Sequence, residues 1–233
     1  MAEVGARPGD LAVDLGSNDG SLLKAFQARG MRVLGVDPAR EIARRATESG
    51  VETLPEFFDA ALVERIRKSH GPARIVTVNN LYANVDELGK FTDAIRALLA
   101  KDGVFVFESF YLADWMRNMV FDFTYHEHLS YFAVRPLERF FREHGLELSD
   151  VQRVPTKGGS IRCLVQVAGG PRKISPNVLR LMEEESAMGL QGLDAFRSFG
   201  ARILSAKDRL HEWMSPVTAA GKRLAGYGAS ATT

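Results

Sequence analysis

The sequence predicts an α/β domain whose mostly parallel sheet ends in an antiparallel hairpin and is followed by a helical segment. Short apolar strand patterns alternate with helical patterns over the first half of the chain, which is typical of a parallel, doubly wound sheet. Two β-rich runs joined by a glycine-containing loop follow, and they indicate a hairpin. After Pro176 the apolar residues recur at helical spacing.

Each element follows from a local pattern. Five apolar runs predict strands at residues 11–15, 33–36, 51–54, 75–78 and 104–107. Helical patterns predict helices at 22–28, 41–49, 60–68 and 92–99, and a shorter one at 136–144 that Gly145 closes. The hairpin strands are predicted at 146–154 and 160–167.

The chain after Pro176 is predicted to be helical. Five apolar residues keep to one side of this helix, namely Phe196, Phe199, Ile203, Leu210 and Trp213. We expect that side to pack on the core or on a neighbouring domain. Residues 223–230 resemble a strand that enters a second glycine turn.

Composition narrows the class of protein. The 233 residues include 45% hydrophobic and 25% charged residues, as in ordinary globular proteins. A net charge of +1 argues against nucleic acid or an anionic membrane as the main partner. No apolar stretch has membrane-spanning length and no signal peptide is evident, so we expect a cytoplasmic protein. The single cysteine, Cys163, lies in an apolar run and is predicted to be a core residue.

A glycine turn between the first strand and the first helix is the clearest candidate site. Gly16 and Gly20 permit a tight turn and a close approach of ligand to backbone, while Ser17 and Asn18 can form local hydrogen bonds. Asp37 ends the next strand about twenty residues on, where a carboxylate can bind ribose hydroxyls. The turn and the acid together predict a nucleoside-containing cofactor.

The charge around this turn favours one cofactor. The turn lacks the G-x-G-x-x-G pattern that lets a diphosphate approach, and Asp14 places a carboxylate at the end of the first strand. A carboxylate there suits the ammonium and sulfonium of S-adenosyl-L-methionine, so a nicotinamide dehydrogenase is disfavoured. Asn80, which follows the fourth strand, completes the predicted cofactor set.

Several motifs resemble those of the nucleotide-sugar C-methyltransferases, which make branched deoxysugars from dTDP-4-keto sugars. The matching residues are 14–20, 80–85, 125–132, 158–162 and 226–230, and the most specific of them is the block Tyr125-His126-Glu127-His128. The resemblance spans most of the chain. It implies a Rossmann-like class I methyltransferase fold, S-adenosyl-L-methionine as cofactor and a nucleotide-linked keto sugar as small-molecule substrate.

The resemblance also implies a reaction. A base removes the proton on the carbon next to the ketone, and the resulting enolate takes the methyl group. By this resemblance His128 is the base, while Tyr125 and Glu127 orient the sugar, position the histidine or stabilise the enolate. Asn84 stands where the family usually has a histidine, which puts the second acid or base role in question. No metal is expected, because His126 and His128 lack a complete ligand set by spacing.

The resemblance suggests how the chain is divided. We expect a cofactor-binding methyltransferase domain at 1–170, a helical connector at 171–220 and the truncated start of a C-terminal domain at 221–233. The family's cysteine-rich N-terminal zinc domain and most of its C-terminal domain have no counterpart in this sequence.

Other interpretations stay open. An O- or N-methyltransferase acting on a small metabolite would need deprotonation only at a heteroatom, and a non-catalytic fragment would bind the cofactor without turnover. Glu108, at the end of the fifth strand, is a candidate substrate-side residue. The run Glu183-Glu184-Glu185 is expected to be a solvated helix face.

Overall fold

A computed structural model describes residues 4–226 and contains one seven-stranded sheet. The strands are β1 Leu11–Leu15, β2 Arg32–Val36, β3 Thr53–Leu54, β4 Ala73–Asn79, β5 Leu99–Phe110, β6 Leu146–Val154 and β7 Ser160–Val167. Their order is β3-β2-β1-β4-β5-β7-β6, with β1 to β5 parallel and β7 antiparallel between β5 and β6. The predicted α/β class, with its parallel sheet and terminal hairpin, is therefore confirmed.

Helices connect and cover the strands. They are α1 Ser21–Gln27, α2 Arg40–Glu48, α3 Ala60–Ser69, α4 Leu88–Leu98, α5 Leu112–Asn118, α6 Val134–Glu143, α7 Pro176–Ala187 and α8 Leu193–Ala219. Single turns of 3-10 helix occur at Tyr82–Asn84 and Thr156–Gly158. The sequence prediction misses α5 and both 3-10 turns.

Strand β1 is apolar at every position except Asp14. All five residues of β1 are buried, because a parallel strand with neighbours on both sides is covered on both faces. Cys163 in β7 is also fully buried, and this burial raises the pKa of its thiol. The prediction that Cys163 is a core residue is confirmed.

Helix α7 belongs to the core, contrary to the expectation of a solvated acidic face. Leu181 and Glu185 are buried, whereas Glu183 is exposed. The prediction for Glu185 is wrong because this residue lies one helical turn from Leu181, on the inward side of α7, where hydrogen-bond donors meet its carboxylate.

Helix α8 contributes no residue to the buried core. None of its residues is buried, and the Arg202 guanidinium donates to the Met116 carbonyl oxygen at 2.9 Å. The exposed fraction is 41% for Phe196 and 67% for Trp213, so these side chains do not pack on the core. Packing on a neighbouring domain stays a prediction, as does the division into domains.

Two further observations concern membrane-spanning helices and the last residues of the chain. Among residues 4–226, no helix is both long and apolar enough to cross a membrane. Residues 223–226 of the predicted strand form neither helix nor strand, and the predicted glycine turn up to 230 continues outside the described residues.

Candidate functional site

The turn after β1 adopts the left-handed backbone that its glycines allow. The φ angles of Gly16, Asn18 and Gly20 are 72°, 50° and 75°. Glycine adopts this conformation without steric cost and asparagine tolerates it better than most residues. A Cβ atom on Gly16 would lie 3.0 Å from Cδ2 of Leu81, so the backbone there approaches the turn after β4 closely.

Asp37 joins this turn to the end of β2. Its Oδ2 accepts a hydrogen bond from the backbone N–H of Asn18 at 3.0 Å, and its Oδ1 accepts from that of Ala39 at 2.9 Å. The side chain is only 9% exposed. Each carboxylate oxygen keeps a lone pair for another donor, so Asp37 can bind hydroxyl groups while it holds the glycine turn in place.

Asp14 is a buried carboxylate between two strands. The Thr77 hydroxyl on β4 donates to its Oδ1 at 2.5 Å. Desolvation by burial, reinforced by the negative charge of Asp37 and opposed by the Thr77 hydrogen bond, raises the pKa of Asp14 from 3.8 to about 6. A bound cation would compensate this desolvation. Thr77 was not predicted as a site residue. The signal that could have identified it is its hydroxyl group, which is the polar exception in the apolar run 75–78.

A cavity of about 510 Å³ opens beside these groups, within the usual range for small-molecule pockets. Gly16 and Asp37 line it, together with Asn84 from the 3-10 turn after β4. Its outer wall carries Phe57, whose ring is 80% exposed. The sequence prediction missed Phe57, which lies in the loop after β3.

Two buried oxygens near this cavity have no hydrogen-bond partner among residues 4–226. They are Oγ of Ser17 and Oδ1 of Asn84. A buried polar atom without a partner costs free energy, so a ligand that supplies donors would stabilise this region. With the carboxylates of Asp14 and Asp37, these atoms fit a cofactor that carries a cationic amino acid portion and ribose hydroxyls.

Asn80 lies at the same edge of the sheet, directly after β4. Its φ is 55° and its side chain is exposed. Its backbone N–H donates to the Glu108 carbonyl oxygen at 2.9 Å, which holds the end of β4 against β5. The structure thus brings the predicted cofactor residues together at one edge of the sheet, while the role of each stays a prediction.

Residues 119–132, here called the histidine segment, connect α5 to α6 and carry the Tyr-His-Glu-His block. The backbone N–H groups of Leu129 and Ser130 both donate to the carbonyl oxygen of Ala83, at 2.9 and 3.1 Å. Ala83 directly precedes Asn84, which lines the cavity. The histidine segment and the cavity are therefore joined through one turn of 3-10 helix.

The geometry around His128 defines which of its ring nitrogens is free. Nδ1 lies 2.8 Å from the Phe123 carbonyl oxygen. A carbonyl oxygen only accepts, so Nδ1 carries the proton and donates, and Nε2 of the neutral ring has a free lone pair. The imidazole packs against the rings of Phe110 and Tyr125, with centroids 4.7 and 4.6 Å away. His128 is thus held as a hydrogen-bond acceptor or base at Nε2.

Tyr125 and Glu127 form a pair next to this imidazole. The Tyr125 hydroxyl donates to Oε2 of Glu127 at 3.2 Å. Desolvation and then this hydrogen bond raise the pKa of Tyr125, so its hydroxyl stays protonated at neutral pH. A protonated phenol next to a histidine can donate to an oxyanion.

Glu108 is almost fully engaged within the protein. Its Oε1 accepts from the Thr156 hydroxyl and its Oε2 from Nη2 of Arg162, both at 2.8 Å. Arg162 lies beside Glu108 in the register of β7 and β5. These bonds fasten the hairpin loop to the sheet. Glu108 and Phe110 are two residues apart in β5, so their side chains point to the same face of the sheet.

Two family models match the chain. The model described as "Methyltransferase domain" covers residues 4–151, and the model described as "C-methyltransferase C-terminal domain" covers residues 155–233. A curated relative, C-methyltransferase NovU of Streptomyces niveus, is 38% identical over 229 residues. The alignment includes 98% of this chain and 54% of the relative, so the chain spans about half of that protein's length.

Solved structures share the fold at low sequence identity. A methyltransferase of Haloferax volcanii, solved in complex with its activator Trm112, has a TM-score of 0.56 and 17% identity, over 72% of this chain and 86% of the matched chain. An S-adenosylmethionine-dependent methyltransferase from Aquifex aeolicus has a TM-score of 0.55 and 13% identity, over 72% and 87%.

The family assignment follows from these matches. The methyltransferase domain model covers more than half of the chain, and solved methyltransferases share its fold. S-adenosyl-L-methionine is the cofactor of such enzymes. This chain therefore belongs to the S-adenosyl-L-methionine-dependent methyltransferases, and its residues 155–233 are similar to the C-terminal domain of C-methyltransferases.

Proposed function

We propose that the protein methylates a carbon atom next to the ketone of a nucleotide-linked keto sugar. The observation that carries this proposal is the arrangement of His128, whose Nδ1 is held by a carbonyl oxygen and whose Nε2 has no hydrogen-bond partner among residues 4–226. A carbon acid needs such a base, whereas an acceptor oxygen or nitrogen of lower pKa does not. The similarity to a relative named as a C-methyltransferase and the motifs of the sugar-methylating family support the same reaction.

The residues around the glycine turn would hold the cofactor. Asp37 would accept hydrogen bonds from the ribose hydroxyls, and Asp14 would balance the cationic amino acid portion. Asn84, which lines the cavity, would gain a partner for its buried oxygen, and Ser17 would shape the turn. S-adenosyl-L-methionine, when bound, supplies an electrophilic methyl carbon.

His128 would act on the sugar. Its Nε2 removes the proton from the carbon next to the ketone, and the electrons of the broken C–H bond move to the ketone oxygen to form an enolate. The Phe123 carbonyl oxygen stabilises the imidazolium that results, because it accepts the hydrogen bond from Nδ1. The enolate carbon is then the nucleophile toward the methyl group.

The enolate oxygen needs hydrogen-bond donors that are already in place. The Asn84 amide would be one donor, and the Tyr125 hydroxyl would be the other once its single proton turns from Glu127 to the enolate oxygen. Glu127 accepts from Tyr125 in the absence of substrate and would accept from a sugar hydroxyl when Tyr125 turns to the enolate oxygen. Asn84 can donate a hydrogen bond but cannot carry a proton at neutral pH, so His128 would be the only histidine base among these residues.

The test is the exchange of the sugar proton with solvent in D₂O. His128→Asn should abolish exchange of the proton next to the ketone and leave the affinity for S-adenosylhomocysteine within about twofold, since the cofactor groups lie on other elements. His126→Asn is the matched control, because it alters an exposed histidine of the same segment. Full exchange by His128→Asn would refute the assignment of the base.

Two measurements separate this proposal from its alternatives. The position of the new methyl group in the product distinguishes carbon from oxygen or nitrogen methylation. Calorimetric titration with S-adenosylhomocysteine, with NADH as the control ligand, tests the cofactor. Binding of S-adenosylhomocysteine without exchange or turnover on any keto sugar would favour a non-catalytic cofactor-binding protein.

A further inference from the structure

Glu185 of α7 is a buried carboxylate surrounded by hydrogen-bond donors. It is 1% exposed, and its Oε1 accepts from the Tyr111 hydroxyl at 2.9 Å and from the backbone N–H of Val134. Its Oε2 accepts from the backbone N–H of Arg135 at 3.0 Å. Burying a carboxylate is costly unless its oxygens are satisfied, so this arrangement requires all three donors.

The three donors flank the histidine segment in the chain. Tyr111 directly precedes α5, the helix that leads into the segment, and Val134 and Arg135 begin α6, which follows it. The backbone adds a further link, because the N–H of Leu112 donates to the Phe132 carbonyl oxygen at 3.0 Å. One carboxylate thus fastens both sides of a segment that has no helix or strand of its own.

The contact with Tyr111 reaches the imidazole through aromatic packing. Phe110, the neighbour of Tyr111 in the chain, stacks on Trp115 with ring centroids 4.1 Å apart and lies 4.7 Å from the His128 ring. The backbone N–H of Tyr111 donates to the Gly159 carbonyl oxygen at 3.0 Å, which holds this position against the hairpin loop. A shift of Tyr111 would therefore displace the surface on which His128 rests.

Neighbouring groups of α7 hold α5 in the same way. Glu184 accepts from Arg153 at 2.9 Å, and Arg153 also pairs with Asp114 of α5. Arg117 of α5 lies 3.4 Å from the Glu184 carboxylate.

Burial, and then the negative charge of Glu185, raise the pKa of Tyr111, which keeps its hydroxyl protonated as a donor.

We infer that Glu185 is a positioning residue for His128, which it holds in place by clamping both sides of the histidine segment. This inference rests on the proposed function for its catalytic consequence, but its structural consequence does not depend on the substrate. Glu185 does not line the cofactor cavity, so its loss should affect proton removal more than cofactor binding.

Three variants test the clamp at different strengths. Glu185→Ala removes all three hydrogen bonds. Tyr111→Phe removes only the hydroxyl contact. Glu185→Gln keeps an acceptor for Tyr111 and Val134, but it points an amide N–H₂ group at the backbone N–H of Arg135. Glu183→Ala, on the exposed side of the same helix, is the matched control.

The first measurement is the exchange of the sugar proton in D₂O. We expect Glu185→Ala to slow it by on the order of 100-fold, since a displacement of about 1 Å at a reacting group has an effect of that size. Tyr111→Phe and Glu185→Gln should slow it by about tenfold as partial versions of the same displacement. The affinity for S-adenosylhomocysteine should stay within about twofold in every variant.

The second measurement is the ¹⁵N NMR signal of the His128 ring, which needs no substrate. The native protein should show the tautomer protonated at Nδ1, and Glu185→Ala should show a mixture of tautomers. If Glu185→Ala does not fold, Glu185→Gln and Tyr111→Phe decide the question. A folded variant with native exchange and native His128 signals would overturn the inference, as would equal losses of exchange and cofactor affinity. If the native protein shows no exchange, the proposed reaction fails and the ¹⁵N signals alone decide whether Glu185 positions His128.

Discussion

Replacing Asp14 with asparagine should stabilise the protein in the absence of cofactor. The pKa of Asp14 rises from 3.8 to about 6 in the folded protein, mainly through burial. Each pKa unit corresponds to about 1.4 kcal/mol, so keeping this carboxylate ionised in the folded state costs about 3 kcal/mol at neutral pH. The asparagine side chain would keep an oxygen for the Thr77 hydroxyl and would carry no charge. The free energy of unfolding of Asp14→Asn at pH 7 should therefore exceed that of the native protein by about 3 kcal/mol.

The contribution of Asp14 to the free energy of unfolding depends on pH. A carboxyl group whose pKa is raised by folding binds more protons in the folded state than in the unfolded state between pH 3.8 and about 6. Its contribution to stability is therefore greatest below pH 3.8 and is lost as the pH rises through about 6. The difference between variant and native protein should be about 0.6 kcal/mol at pH 4 and approach about 3 kcal/mol at pH 7.

Urea unfolding followed by circular dichroism between pH 4 and 7.5 measures this difference. Asp208→Asn, which removes an exposed carboxylate from α8, is the matched control and should change the unfolding free energy by less than about 0.5 kcal/mol. If the gain in stability for Asp14→Asn were absent, or independent of pH, the proposed desolvation of Asp14 would be refuted.

The same substitution should weaken cofactor binding. A hydrogen bond to a charged group contributes about 1.5–3 kcal/mol, so we expect the affinity of Asp14→Asn for S-adenosylhomocysteine to fall by roughly 10- to 100-fold. Native affinity should decline as the pH drops below about 6, where Asp14 becomes protonated, and the variant should lack this decline. Calorimetric titration at pH 5.5 and 7.5 measures both effects, and an unchanged affinity would exclude Asp14 from the cofactor site.

Three further substitutions probe other parts of the site. Asp37→Ala should lower the affinity for S-adenosylhomocysteine by about tenfold or more, because it removes a charged acceptor; unchanged affinity in calorimetry would contradict the ribose role. Gly35→Ala should destabilise the fold by about 1–3 kcal/mol, because its Cβ atom would lie 2.5 Å from Oγ of Ser17. Gly200→Ala, with no atom within 4 Å of the new methyl group, is the control in urea unfolding, and equal stability of the two variants would be inconsistent with this close packing. Asn84→His should add a second ionisation to the pH profile of sugar proton exchange, and an unaltered profile would place residue 84 away from the reacting atoms.

Local patterns were sufficient for the main features of the fold. The apolar runs and the helical periods predict all seven strands and their parallel or hairpin character, because burial on both faces of a sheet imposes continuous apolar runs. The glycine turn was also predictable from local sequence, because Gly16 and Gly20 both adopt positive φ angles that other residues avoid. The resemblance of the Tyr-His-Glu-His block selected one methyltransferase family among several.

Other features could not be predicted because their partners lie far apart in the chain. The Thr77 hydroxyl meets Asp14 across 63 positions, and Glu185 meets Val134 across 51 positions. The acidic run 183–185 looks uniform in the sequence, yet Glu185 is buried while Glu183 is exposed. Only the packing of α7 against the start of α6 and against Tyr111 separates them.

The order of residues along the chain was enough to establish the class of fold and to predict the position of the cofactor turn and the residues of the candidate chemistry, because each depends on neighbours within a few residues. How those residues act depends on the folded arrangement. It leaves Nε2 of His128 free by binding Nδ1 to the Phe123 carbonyl oxygen, and it raises the pKa of Asp14 by burying it between strands. A hydrogen-bond partner and the local degree of burial depend on which distant segments meet, and local sequence patterns do not specify them.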